Sequence, residues 1–431
     1  MVLKVELLSK EMMIKPSSPT PPHLKTFKLS FLDQISPPLF VPLIFFFHHG
    51  EDDHGRSSQL LKQSLSKVLT LFYPLAGRIK GNDFIDCSDD GALWVEARVH
   101  GFLKDVVENP LMEELEKFLP VESYSDDDSE LMLGVQVNHF LDGGIAIGVC
   151  VSHKIADGLS LVNFVNAWAV TAREGDAAAG KISPPNFGLV TSLFPPTNTD
   201  LSEFGFSHTL CMTREKIVTR RVLFDKEKLA ALKKSAAAES SGVENPTRVE
   251  VLSAFLWKQY IEASRKRSQD ASMKKTFRAT HNVNLRARMN PPLPEATFGN
   301  LWSPVETPPS ETCPDDAHLV FQLRTSMREI NAEYVEALQN GKGHSEHLRK
   351  WRLTGEVEAE FLDFSSWCRF PIYEVNFSWG RPVWVCTTSF PYKNFIVLMS
   401  TKCGDGIEAW INMREEDDDI YMGAGLCTSS N

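Results

Sequence analysis

The longest uninterrupted apolar stretch runs from Leu39 to Phe47 (LFVPLIFFF). It is too short to span a bilayer and holds a proline, so the pattern predicts a buried strand. Residues 57–71 (SSQLLKQSLSKVLTL) place Leu60, Leu61, Leu65, Val68 and Leu69 at helical spacing. Pro74 and Gly77 end that pattern in a turn. Strands are predicted at 93–99, 132–137 and 145–151, followed by a helix over 159–173. A stretch with Pro184, Pro185, Pro195 and Pro196 then breaks the periodicity and reads as a connection between two halves. Beyond it, a strand at 219–224 precedes helices over 225–240 and 247–266. Further strands are expected at 277–285, 372–378, 383–387, 394–400 and 406–411. The tail REEDDDIYMGAGLCTSSN starts like a helix, meets Gly423 and Gly425, and is expected to fray. Strands and helices mixed in both halves predict an α/β fold of two sandwich domains.

At 431 residues the chain exceeds what one core usually spans, which agrees with two domains. A net charge of -11 disfavours nucleic acid as a partner. The N-terminus, punctuated by charge, lacks the apolar core of a signal peptide, and no membrane partner is expected. The eight cysteines are scattered without a CxxC pair, so neither zinc nor a disulfide framework is expected, and the cysteine pattern suits the cytoplasm. Nothing in the pattern signals homo-oligomerisation, and a monomer is expected.

Three HxxxD spacings occur: His48/Asp52, His49/Asp53 and His153/Asp157. The first two fall in HHGEDDH and read as a solvated loop. The third sits in SHKIADG (152–158), between a predicted strand and a predicted helix, where a scaffold presents reactive groups. Imidazole has an ordinary pKa of about 6.5, so His153 is a candidate general base at neutral pH. It suits an alcohol attacking a thioester. No GxSxG elbow is present, which favours direct attack over an acyl-enzyme. Asp157 has two readings, orienting the imidazole or capping the following helix.

Six motifs follow in order: YPLAGRI (73–79), SHKIADG (152–158), VNLRARMNPPLP (283–294), FGN (298–300), SSWCRFPIYEVNFSWGRP (365–382) and GDGIEAW (404–410). Together with the opening KPSSPTPPHLKTFKLSFLDQ, they make a chain that resembles the plant BAHD acyltransferases, and most of all their alkaloid-acetylating members. The resemblance implies two chloramphenicol-acetyltransferase-like domains with mixed sheets, flanking helices and a channel between them. It implies an N-terminal domain over 1–185 completed by about 376–400, a crossover over 186–215 and a C-terminal domain over 216–431. It also implies acetyl-CoA or malonyl-CoA as donor, a small-molecule alcohol as acceptor, and no metal. His153 matches the general base. Asp157 matches an aspartate that pairs with an arginine, here Arg286. Ser365 and Trp367 match donors to a tetrahedral oxyanion, with core packing as the other reading of Trp367. Ser253 and Lys258 match a helix bordering the CoA channel, with a solvated face as the alternative for Lys258. Arg414 is a candidate partner for a malonyl carboxylate, or a surface arginine balancing Glu415, Glu416 and Asp417.

The family's DFGWG motif reads Asn376-Phe377-Ser378-Trp379-Gly380 here. A neutral amide replaces a carboxylate, and Ser378 adds a Cβ that makes any positive φ costly. Asn376, Trp379 and Gly380 shape the CoA region in relatives, so an altered CoA site is expected. The expected activity is O-acetylation of an alkaloid or terpenoid alcohol. The rival readings are a catalytically impaired ligand-binding protein and an enzyme that uses His153 for proton transfer or cyclisation without CoA.

Overall fold

A computed structural model describes residues 3–8, 12–49, 54–124, 130–182, 184–198, 201–204, 212–213, 215–236, 243–267, 275–341, 343–344, 346–348 and 359–418. The chain divides into two compact units. The first holds Met1–Asn198, Pro294–Leu301 and Phe370–Ser389, and the second holds Thr199–Leu293, Trp302–Arg369 and Phe390–Asn431. Both are built on a mixed sheet with flanking helices, as the pattern of mixed elements predicted.

The apolar run at 39–47 forms the strand Phe40–Phe47, buried from Val41 onward. It pairs antiparallel with Ile145–Ser152, which pairs antiparallel with Leu133–Phe140. Leu133–Phe140 then pairs parallel with Ala92–Val99, whose far edge takes Val5–Leu7 and Met12–Ile14. Every residue of Leu133–Phe140 and Ile145–Ser152 is buried. Gly148 is needed there, because a Cβ would stand 2.1 Å from the Phe118 carbonyl oxygen. The helices His54–Leu71 and Gly158–Glu174 pack together, and the Trp168 indole donates to the Leu61 carbonyl (3.2 Å) and to Ser64 Oγ (3.0 Å).

In the second unit the sheet order is Ile217–Phe224, Ile407–Arg414, Phe395–Ser400, Ala359–Ser366, Thr276–Asn284, Trp302–Glu306. Its apolar face carries Phe277, Leu362, Phe364, Ile396 and Ile411, in one core with Leu252, Leu256 and Trp257 of the helix Arg248–Arg267 and Leu319 and Leu323 of the helix Asp316–Glu329.

Three expectations change. The segment completing the first sheet is shorter than 376–400. Trp384–Cys386 pairs with Phe40–Phe47, whereas Phe395–Ser400 pairs with Ala359–Ser366 and Ile407–Arg414 in the second sheet. The strand expected at 372–378 is instead a single turn, Ile372–Glu374, because Pro371 precedes it and the chain takes positive φ at Ser378 (98°) and Gly380 (102°). The residues Pro294–Leu301, taken with the C-terminal half by sequence, belong to the first unit. The acidic tail makes one turn, Glu415–Asp417. Gly423 and Gly425, like Asp52 and Asp53 of the polar loop, lie outside the described residues.

Candidate active site

The strand Ile145–Ser152 delivers His153 to its end. The His153 backbone N–H donates to the Leu39 carbonyl at 2.8 Å, carrying the ladder one residue past the Phe40–Ser152 pair. A tight turn follows, with Ile155 N–H on the Ser152 carbonyl at 3.2 Å. Asp157 then begins the helix Gly158–Glu174. Its Oδ1 accepts from the Ser160 N–H at 2.8 Å, and its Oδ2 accepts from the Leu301 N–H at 3.1 Å. The aspartate therefore caps its own helix and ties the 294–301 segment to it.

The group on the imidazole is Asn300. His153 Nδ1 lies 3.0 Å from Asn300 Oδ1. Asn300 Nδ2 donates to Asp33 Oδ1 at 2.9 Å and to the His153 carbonyl at 2.7 Å. Both are acceptors, so the amide orientation is fixed and its oxygen faces the ring. An amide oxygen only accepts, so Nδ1 carries the proton and the lone pair sits on Nε2. Burial holds the His153 pKa below its ordinary 6.5, with the Asp157 charge and the Asn300 hydrogen bond pulling upward. The ring is thus poised as a neutral base.

A second layer holds Asn300 in place. Ser30 and Asp33 form a capping box on the short helix Phe31–Ile35, with Asp33 Oδ2 accepting from the Ser30 N–H (2.9 Å) and hydroxyl (2.7 Å). Burial raises the Asp33 pKa, against these hydrogen bonds, the one from Asn300 and the Lys154 charge. Lys154, the residue after the histidine, is 5% exposed, and its Nζ donates to the carbonyls of Asp33 (2.7 Å), Gln34 (3.0 Å) and Ser36 (2.9 Å). It satisfies the carbonyl end of the helix that carries Asp33. Burial pulls its pKa down to about 7, opposed by the Asp33 charge. Sequence reasoning did not assign Asn300, Asp33 or Lys154 to the site. Each lay inside a quoted motif (FGN, LSFLDQ, SHKIADG), but no spacing rule joins a residue at 33 to one at 300.

The other expected residues lie elsewhere. Ser365 and Trp367 are in the second unit, where the indole N–H donates to Ser365 Oγ at 3.0 Å. The Trp367 ring, 5% exposed, meets Phe390 edge-on at 6.4 Å. Arg286 is 1% exposed, and one guanidinium nitrogen donates to Asn284 Oδ1 at 3.3 Å. Arg414 pairs with Asp417 (3.2 Å) and Glu215 (3.6 Å), where the sequence suggested Glu415, Glu416 and Asp417 as balancing charges.

The residues expected to hold CoA do not present a phosphate site. Ser253 is fully buried, and its hydroxyl is bonded to His281 Nε2 at 3.0 Å, a core role that corrects its placement at a channel wall. Lys258 is ion-paired with Asp316 at 2.8 Å, which raises its pKa and neutralises its charge. Asn376 folds the altered motif upon itself. Its Oδ1 accepts from the Ser378 N–H at 3.0 Å and the Gly380 N–H at 3.3 Å. Trp379 stacks on Phe377 (5.7 Å, 20°) and meets the His49 ring at 5.0 Å. Among the described residues no group of three or more His, Cys, Asp or Glu is placed to hold a metal, and no helix is long and apolar enough to cross a membrane.

Comparison with known proteins agrees with this architecture. A family model described as the transferase family matches residues 3–419. Stemmadenine O-acetyltransferase of Catharanthus roseus is 42% identical over 427 residues, covering 97% of this chain and 96% of the relative. Vinorine synthase of Rauvolfia serpentina is 40% identical over 431 residues, again covering 97% and 96%. The crystal structure of vinorine synthase superposes with a TM-score of 0.82 at 38% identity, covering 97% of this chain and 96% of that one. The chain therefore belongs to this transferase family, the BAHD acyltransferases.

Proposed function

We propose that this protein transfers an acetyl group from acetyl-CoA to the hydroxyl of a small plant metabolite, an alkaloid or a terpenoid, with His153 as general base. The observation that carries the reading is the Nδ1 contact to Asn300 at 3.0 Å, which places the basic lone pair on Nε2. In the reaction, Nε2 takes the proton from the acceptor hydroxyl as its oxygen attacks the thioester carbonyl carbon. The new C–O bond forms, the tetrahedral intermediate collapses, and the C–S bond breaks. The leaving thiolate takes the proton back from the imidazolium, which balances charge and returns the base. General-base help of this kind contributes about 10²–10⁴ in rate.

Ser365 and Trp367 are proposed to stabilise the oxyanion, the indole N–H polarising the serine hydroxyl that donates. Asp157 is proposed as a structural residue that also pairs with Arg286. The carboxylates already on Arg414 favour an acetyl over a malonyl donor. A monomer acting in the cytoplasm is proposed as the working form. The name of the Catharanthus relative, an O-acetyltransferase, supports the reaction type.

The test is to incubate the protein with acetyl-CoA and a library of plant alcohols, following free thiol release and product mass. Products heavier by one acetyl group, formed with stoichiometric thiol, support the reading. Ligand binding without turnover, or turnover without CoA, replaces it with the binding-protein or the cyclisation reading.

A further inference from the structure

The second unit's sheet has two unlike faces. Leu362 and Phe364 point into its apolar core. Asp363 and Ser365 alternate onto the other face. There the parallel register sets Asp363 beside Thr280 and Ser365 beside Asn282. All four side chains belong to partly exposed residues. The strands thus bring a carboxyl, two hydroxyls and an amide to one small patch.

Asp363 differs from the other drawn-in carboxylates of this unit. Glu250 is matched by Arg324, Glu408 by Arg221, and Glu360 by Lys275. Asp363 takes a hydrogen bond from the Thr280 hydroxyl, and among the described residues no ion pair joins it to a cation. One hydroxyl fills one of about four acceptor positions on a carboxylate. Burial pushes its pKa up to about 6, so it is mostly ionised at neutral pH with its charge unbalanced. An unpaired carboxylate drawn partly out of water is costly unless a cation meets it during function.

We infer that Asp363 receives a protonated amine, so the acceptor alcohol carries a basic nitrogen. This inference rests on the acyl-transfer reading and narrows its acceptor to cationic alcohols. The ammonium N–H donates to the Asp363 carboxylate, a charge-assisted bond that a neutral polycyclic alcohol lacks. Ser365 and Asn282 offer the neighbouring polar atoms.

The experiment uses two probes of equal heavy-atom count, quinuclidinol, which is cationic at neutral pH, and cyclooctanol, which is neutral. Isothermal titration calorimetry and acetyl-CoA kinetics are run on wild type, Asp363→Asn and Thr280→Val. Asp363→Asn keeps the shape and removes an unbalanced charge, so its thermal midpoint is expected to hold. If that variant fails to fold, Asp363→Ser replaces it. The expected result is a loss of about 10- to 100-fold in quinuclidinol affinity in the neutral variant, with cyclooctanol unchanged. Thr280→Val keeps the preference for the amine. Wild type that binds both probes equally, or neither, overturns the inference. Turnover of both alcohols without amine preference overturns the amine site and keeps acyl transfer. Asp363-dependent amine binding with no turnover of either alcohol keeps the amine site and overturns acyl transfer.

Discussion

Ser378 offers a clean test of backbone strain. It stands at φ +98° in the altered motif, where an L side chain is disfavoured and glycine is not. Its side chain is exposed, so little packing is lost when it is removed. Its hydrogen bond to Asn376 Oδ1 comes from the backbone N–H and survives any substitution except proline. Ser378→Gly therefore isolates the conformational cost. A residue held in such a region costs about 1–3 kcal/mol. Glycine gives back about 0.4–1 kcal/mol through the greater freedom of the unfolded chain. The net expected gain is about 0.5–2 kcal/mol. At 2–4 °C per kcal/mol for a domain of this order, the thermal midpoint rises by about 1–6 °C. Urea unfolding should show a higher midpoint at unchanged m. Ser378→Ala keeps the Cβ and should gain nothing. Gly380→Ala is the mirror case: no atom lies within 4 Å of an added Cβ, so the loss it brings reports its φ of +102° alone. A Ser378→Gly variant no more stable than Ser378→Ala would refute the reasoning.

Two further outcomes follow from the network behind His153. Lys154→Met removes the donor from three buried carbonyls and should lower stability by about 2–4 kcal/mol, read as a fall in the thermal midpoint; an unchanged midpoint would mean the carbonyls find other donors. Asn300→Ala should lower kcat about tenfold or more while sparing KM for acetyl-CoA, because the tautomer is no longer fixed. In wild type, kcat/KM should fall on the acid side with a pKa below 6.5: the base works only when neutral, and burial lowers the pH at which it becomes protonated. An acid limb above 6.5 would show that the ring is not in the environment described.

Much of the fold was legible because its signals are local. The run from Leu39 to Phe47 could only be buried, and the leucine spacing at 57–71 appears as the helix His54–Leu71. The strand Ala359–Ser366 was hidden because only Leu362 and Phe364 face the core, while Glu360 and Asp363 interrupt the apolar signal. The segment at 372–378 misled in the opposite sense. Its Ile372, Tyr373, Val375 and Phe377 suit a strand, but Pro371 and the turn folded by Asn376 prevent one. At the site, His153 was legible from motif and context. Asn300 was not, since its role depends on a contact 147 residues away in the chain. The serine at position 378 could be flagged as costly under positive φ, and the structure supplies that φ.

The most direct test of the central claim is the turnover of His153→Ala with acetyl-CoA and the best alcohol from the library, beside a melting curve. The account predicts a drop of about 10² or more in kcat with the thermal midpoint preserved. A folded His153→Ala protein that turns over within a few-fold of wild type would contradict it.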